Sequence, residues 1–287
     1  MDKVQAELAA LTSPQIGSTC SISPSGEPVI GGLASSAAEL RDAGPFSRAV
    51  EYFAAIADAA ASKLDSSARL GALVLRDILD KTTLFGDVDT IEQFPLNYMD
   101  LGTQNILVDD QFNFIAIIDW EFAQTAPWQV NRYPMPFPLL QLDIEDILRD
   151  PGHLAYRTVL RQDVSRRLYR QKFQEAERML EEEGRPLHGS FADTLDSPAS
   201  RTYACFNSLG RVQQDDRGLL GEMVQLAFGL DADKAEQYLR ELEDQESSGQ
   251  ACLPVPTWIL VFWDSGKPLA GGLCDGACRV ATPDDGL

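Results

Sequence analysis

Residues 94–127, FPLNYMDLGTQNILVDDQFNFIAIIDWEFAQTAP, are the part of the sequence that decides the fold. Ile106–Val108 is a short apolar run, and apolar and β-branched residues return in Phe114–Ile118. The intervening residues 109–113, DDQFN, are rich in Asp and Asn, which favour turns. This pattern predicts a β-hairpin with polar residues at its open end.

Three polar residues flank the predicted hairpin in an order that suits phosphoryl transfer. That reaction needs a positioned acceptor hydroxyl and divalent cations that neutralise phosphate charge. The carboxylate of Asp100 can accept the hydroxyl proton. Because a hairpin brings its two ends together, Asn105 and Asp119 are expected to converge. Their amide and carboxylate oxygens are hard ligands that suit Mg²⁺.

The segments DLGTQNILVD (100–109) and IIDWE (117–121) resemble the catalytic core of the aminoglycoside phosphotransferase family. The resemblance extends from about residue 5 to residue 245 and is closest to fungal members of that family. It implies a protein-kinase-like fold, of which this chain has the large C-terminal lobe: α+β, mostly helical, with a β-hairpin at the catalytic site. It also implies Mg²⁺- and ATP-dependent phosphoryl transfer to a hydroxyl of a small molecule.

The resemblance assigns a role to each matched residue. Asp100 corresponds to the catalytic aspartate, and Asn105 and Asp119 correspond to the metal ligands. Gln104 and Glu121 are candidate supporting residues, together with the residue at the family's histidine position, which is Tyr98 here. The implied cofactors are Mg²⁺ and ATP, and the nucleotide-binding residues are unknown.

Two departures from the family pattern predict impaired or absent catalysis. Tyr98 donates one hydrogen bond and cannot reproduce both ring nitrogens of the motif histidine. A kinase-like enzyme also needs a glycine-rich loop and a strand lysine. Before Asp100 the lysines are Lys3, Lys63 and Lys81, and none lies in a convincing strand pattern. We therefore expect the N-terminal small lobe to be missing, with residues 1–95 matching the segment that follows it.

The remaining sequence predicts helices around this core. Apolar residues at helical spacing predict one helix over 46–64 and a second that includes Leu70 to Ile78. Residues 12–45 are rich in Ser, Pro and Gly and predict an irregular surface loop. From Asp143 onward the chain is expected to be mostly helical. The predicted domains are a helical segment at 1–95, a catalytic and helical lobe at 96–248 and an irregular tail at 249–287.

Residues 157–172 contain six basic side chains against one acid, Asp163. Their spacing distributes them around a helix, without lining one face. A solvated helix that offsets the acidic remainder and a patch that steers phosphate both fit this pattern.

The overall composition narrows the classes of partner. The net charge of −20 opposes non-specific binding to nucleic acid, which relies on basic surface. No apolar run is long enough to span a membrane, and the N-terminus does not resemble a signal peptide. Five irregularly spaced cysteines predict reduced thiols in a cytoplasmic protein. A small-molecule hydroxyl acceptor and a protein partner both remain open.

Three hypotheses follow from the sequence. The first is a small-molecule kinase that uses Asp100, Asn105 and Asp119. The second is a catalytically inactive relative that serves as a binding or scaffold module, or a truncated gene product. The third is an unrelated helical interaction protein in which these carboxylates only cap turns.

Overall fold

A computed structural model describes residues 2–34, 40, 43–63, 65–86, 92–98, 103–111, 113–131, 144–210 and 215–247. The chain has an α+β fold in which helices predominate and the sheets are small and antiparallel. Contacts divide the chain into a unit of residues 1–252 and a unit of residues 253–287. The second unit lies outside the described residues, as does the tail predicted at 249–287.

The described helices are α1 (Asp2–Ala9), α2 (Ala49–Ala61), α3 (Ser66–Lys81), α4 (Ile144–Arg149), α5 (Tyr156–Glu182), α6 (Phe191–Thr194), α7 (Pro198–Phe206), α8 (Asp216–Phe228) and α9 (Ala232–Ser247). The strands are β1 (Thr12–Ser13), β2 (Thr19–Ile22), β3 (Pro28–Ile30), β4 (Phe94–Tyr98), β5 (Ile106–Val108), β6 (Phe114–Ile117) and β7 (Ala123–Thr125). Both helices predicted before residue 94 and the helical region after Asp143 are confirmed. None of the described helices combines the length and apolarity that crossing a bilayer requires.

The main core lies where α2, α3, α7, α8 and α9 pack together. Its large, fully buried side chains include those of Phe53, Phe85, Phe94, Ile16, Leu75, Ile78, Met223 and Leu239. Arg76 on α3 reaches Asp58 on α2 with two bonds, Nε to Oδ1 at 2.9 Å and Nη2 to Oδ2 at 2.7 Å. The paired guanidinium and carboxylate planes fix the register of these two helices.

A second apolar cluster joins α1 and α6 to the middle and end of α5. The rings of Phe173 and Phe191 stack there, with their centroids 4.3 Å apart. Trp128 packs against the same cluster, and its indole Nε1 donates to the carbonyl of Gln93 at 3.1 Å. This cluster therefore reaches the segment that enters β4.

The prediction of an irregular loop over residues 12–45 is wrong for the part that the structure describes. β1 joins a three-stranded sheet in the order β1-β4-β7, and β2 pairs with β3. The side chains of Ile16 and Leu33 are buried. The amide of Ile16 donates to the carbonyl of Phe46 at 2.8 Å, and that of Gly17 to the carbonyl of Thr125 at 3.2 Å. These strands are short, and distant segments hold them in place, so local composition does not reveal them.

We predict that Phe53→Ala lowers the free energy of unfolding by about 3–5 kcal/mol, because it leaves a cavity in the main core. Phe53 is fully buried and contacts Phe85 with ring centroids 4.4 Å apart. Urea denaturation measures the change. The control is Ile22→Ala on β2, where the side chain is 63% exposed, and a change within about 0.5 kcal/mol is expected. Equal effects of the two substitutions would contradict this description of the core.

Candidate functional site

The predicted β-hairpin is confirmed, and its open end brings residues 105 and 119 next to each other. β5 and β6 pair antiparallel, with Ile106 opposite Ile117. One step further, the amide of Ile118 donates to the carbonyl of Asn105 at 3.0 Å. Asp119 directly follows Ile118, so two residues 14 positions apart in sequence lie at the same end of one small sheet.

The closed end of the hairpin is held by Asp109. Its carboxylate accepts hydrogen bonds from the amide of Gln111 at 2.9 Å and from the amide and side chain of Asn113 at 2.8 and 2.9 Å. These bonds, above all the one from the Asn113 side chain, lower the pKa of Asp109. An aspartate carboxylate that accepts hydrogen bonds from backbone amides two and four residues ahead stabilises a turn. It fixes the register that aligns the open end.

Asp119 has a backbone conformation that few residues other than glycine adopt. Its φ of 65° and ψ of 51° lie in the left-handed region, and it is the only non-glycine residue with positive φ in the described part of the chain. Aspartate and asparagine tolerate this region better than other side chains. Such conformations persist only where surrounding contacts impose them, and they cluster at functional sites. The Asp119 residue is also exposed.

Tyr98 supplies those contacts from the end of β4. Its side chain is buried, and its hydroxyl lies 2.9 Å from the carbonyl oxygen of Ile118 and 2.8 Å from that of Asp119. A single hydroxyl proton is therefore shared between two consecutive carbonyls. The Tyr98 ring stacks on Trp120, with centroids 5.2 Å apart and planes 20° from parallel. The Trp120 indole donates to the carbonyl of Ile117 at 3.0 Å.

The two rings thus hold three successive carbonyls, those of residues 117, 118 and 119. Sequence reasoning named Tyr98 as a departure from the family pattern and as a possible supporting residue, without identifying these contacts, and gave Trp120 no role. The signal that could have identified this clamp is the aromatic pair itself, but the two residues are 22 positions apart and their contact depends on tertiary structure.

The other predicted site residues have different environments. Asn105 is buried, with 5% of its surface exposed, whereas Gln104 and Glu121 are exposed. Asp100 lies outside the described residues, two positions after the end of β4. The assigned roles of these residues therefore remain predictions.

The pair Asn105 and Asp119 suits a hard cation by its chemistry. Mg²⁺ is commonly held by one or two protein oxygen ligands, with water and phosphate completing its shell. Within the described ranges, no group of three or more His, Cys, Asp or Glu side chains is placed to hold a metal ion. The metal-binding roles of Asn105 and Asp119 therefore stay predictions.

The three lysines that precede Asp100 belong to helical segments, as the sequence suggested. Lys3 lies in α1, Lys63 follows the end of α2, and Lys81 ends α3, where its ammonium is 2.6 Å from the carboxylate of Asp77. A strand lysine of the kind that binds nucleotide phosphates is not found among them.

Several large apolar side chains of the hairpin are open to solvent. They belong to Leu107, Val108, Phe114, Ile115, Ile118 and Trp120. Exposed apolar side chains gathered on one element are typical of an interaction or ligand-binding surface.

A small cavity of about 270 Å³ lies near the start of β4, lined by residues that include Glu92, Phe94, Trp128 and His188. Four residues of extended strand separate Phe94 from Tyr98, or about 13 Å. This cavity therefore lies at the opposite end of β4 from the hairpin clamp.

Comparisons of the chain with protein-family models, with curated proteins and with solved structures returned no match.

We predict that Tyr98→Phe lowers the free energy of unfolding by about 1 kcal/mol, because it removes a shared hydrogen bond but keeps the stacked ring. The backbone amide of Ile118 should exchange with solvent faster, since the neighbouring carbonyls lose their anchor. Urea denaturation and hydrogen exchange followed by NMR measure the two effects.

Tyr156→Phe is the matched control, because the Tyr156 hydroxyl makes no hydrogen bond to the described residues. It should change stability by less than about 0.5 kcal/mol. If Tyr98→Phe changes neither stability nor Ile118 exchange, the proposed clamp does not hold the hairpin.

Proposed function

We propose that the chain is the large lobe of a kinase-like phosphotransferase of the aminoglycoside phosphotransferase type, with impaired catalysis. The observation that carries the proposal is the open end of the hairpin. There the carbonyl of Asn105 accepts a hydrogen bond from the amide of Ile118. The next residue, Asp119, has a left-handed backbone conformation. Asn105 and Asp119 thereby lie next to each other, and their side-chain amide and carboxylate are ligand types that suit a cation bound to nucleotide phosphates.

Each residue has a defined task in this proposal. Asn105 and Asp119 hold Mg²⁺, which when bound neutralises charge on the transferred phosphoryl group. Asp100, two residues beyond β4, orients the acceptor hydroxyl and accepts its proton. Tyr98 does not touch the reacting groups; it positions the backbone of residues 118 and 119. Gln104 and Glu121 are proposed to support the site from the solvent side.

The acceptor is proposed to be a hydroxyl-bearing small molecule. An excess of 20 acidic over basic side chains favours a cationic acceptor, because the potential of the whole surface raises the local concentration of cations. The family name alone does not fix the acceptor, since one fold supports many substrates.

A second candidate function is a catalytically inactive binding module of the same fold. It is favoured by Lys3, Lys63 and Lys81, which lie in helices or directly after one, and by Tyr98 at the position of the motif histidine. In this version the exposed hairpin side chains form a contact site, and Asp119 has a backbone role, because aspartate tolerates the left-handed conformation better than most side chains.

Calorimetric titration of Mg²⁺-ATP into the full chain tests the proposal. Binding is expected, and Asp119→Asn should weaken it about tenfold or more, a loss of at least 1.4 kcal/mol. Asparagine suits this variant because it tolerates the left-handed conformation of residue 119, so the backbone is preserved while the charge is removed.

The matched control is Asp110→Asn, which removes an exposed carboxylate from the turn of the same hairpin and should leave affinity unchanged. Equal losses in both variants would show a general charge effect and overturn the metal assignment. A chain that is folded by circular dichroism and binds no Mg²⁺-ATP would favour the binding module.

A further inference from the structure

Helix α5 is apolar on two opposite sides, although a surface helix normally has a single apolar face. One side is buried against α1, α4 and α6 and includes Val159, Tyr169, Phe173 and Leu180. The other side carries Leu160, Val164 and Leu168, which are 37%, 54% and 54% exposed. Their spacing of four residues aligns them in one row about 12 Å long. We call this row the outer stripe.

Charge is distributed unevenly around α5, in a way that its sequence did not indicate. Arg166 and Arg170 turn toward α6 and the residues after it, where they pair with Asp193 and Asp196 at 2.8–3.1 Å. Arg167 pairs with Asp163 along the helix. These arginines are therefore neutralised by neighbours and contribute little net charge to the outer surface.

Arg157 and Arg161 have a different environment. Both are exposed, and within the described ranges neither is paired with a carboxylate. Arg157 lies three residues before Leu160, and Arg161 lies three residues before Val164, so the two arginines flank the first half of the outer stripe. The surface thus combines aliphatic side chains with two cations that no carboxylate of the described residues pairs, on a chain whose net charge is −20.

We propose that the outer stripe docks an acidic amphipathic helix of another protein chain. A row of side chains at a spacing of four forms a ridge that fits the groove between the corresponding rows of a second helix. Carboxylates on the partner would lie opposite Arg157 and Arg161, and such complementary charge selects the partner and fixes its register. The inference is independent of the proposed phosphotransferase activity.

The same features disfavour a second copy of this chain. Two identical stripes that cross at Val164 in antiparallel orientation would bring Arg157 and Arg161 opposite residues 167–171 of the other copy, RLYRQ, which contain no carboxylate. Such an interface would lack the complementary charge that favours association.

A lipid surface is also disfavoured. An interfacial helix uses a wide apolar face, often with aromatic residues, whereas the outer stripe has three aliphatic side chains. An anionic bilayer would also extend beneath the whole acidic molecule and repel it. A single helix contacts only the stripe, and salt at about 0.1 M screens charges more than about 10 Å away.

The test is fluorescence anisotropy of a labelled synthetic peptide titrated with the full chain. The probe has about 20 residues, long enough to form a helix, with leucines along one face and glutamates beside them. A control peptide carries lysines in place of the glutamates. The acidic peptide should bind about tenfold or more tightly than the basic one, and its affinity should fall as salt is added.

Three variants of the chain locate the binding surface. Val164→Glu should abolish binding of the acidic peptide, because it places a charge in the middle of the stripe. The double variant Arg157→Glu with Arg161→Glu should reverse the preference between the two peptides. Ile22→Glu, at an exposed apolar residue on β2, is the matched control and should bind like the unmodified chain.

Several results would overturn the proposal. These are no binding of the acidic peptide, equal binding of both peptides, and binding that survives Val164→Glu. Sedimentation with phosphatidylserine vesicles that Val164→Glu abolishes would assign the stripe to a membrane surface. Dimerisation in analytical ultracentrifugation that the same variant abolishes would assign it to a second copy.

Discussion

The hydroxyl of Tyr98 is the contact on which the arrangement at the hairpin depends. It lies at the end of β4, a strand held on both sides by β1 and β7, and it binds the carbonyls of Ile118 and Asp119. The hairpin itself has two short strands, and isolated pairs of this kind are marginally stable in water. The position of its open end is therefore determined by the bond and ring stacking that connect it to the three-stranded sheet.

This anchoring explains how Asp119 keeps a left-handed backbone. A conformation of this type costs free energy and needs neighbours that impose it. The Tyr98 hydroxyl holds the Asp119 carbonyl, and Trp120, stacked on the Tyr98 ring, is held in turn by the carbonyl of Ile117. Because these contacts are made through backbone carbonyls, the Asp119 side chain is not needed to form the turn. Asp109 differs, since its carboxylate accepts three hydrogen bonds that stabilise the turn at the other end. Asp109 thus has a structural role at the closed end of the hairpin, whereas Asp119 at the open end is the residue proposed to bind a cation.

Local sequence patterns predicted the hairpin and the helices α2 and α3, whose stabilising residues lie close together in the sequence. The hairpin follows from two apolar runs around DDQFN, and α2 and α3 follow from apolar residues at helical spacing. The short strands within residues 12–30 were missed, because bonds such as that from Gly17 to Thr125 join residues 108 positions apart. Periodicity also could not show that Arg166 and Arg170 turn inward while Arg157 and Arg161 face solvent, since Asp193 and Asp196 belong to another part of the chain.

The central claim is that Asn105 and Asp119 form one cation site at the open end of the hairpin. Mn²⁺ prefers the same hard oxygen ligands as Mg²⁺, and its paramagnetism broadens NMR signals of nearby nuclei. With ATP present, substoichiometric Mn²⁺ should selectively broaden the side-chain amide of Asn105 and the indole signal of Trp120, and Asp119→Asn should remove the effect. Broadening spread over the acidic surface, or unchanged in Asp119→Asn, would contradict the claim.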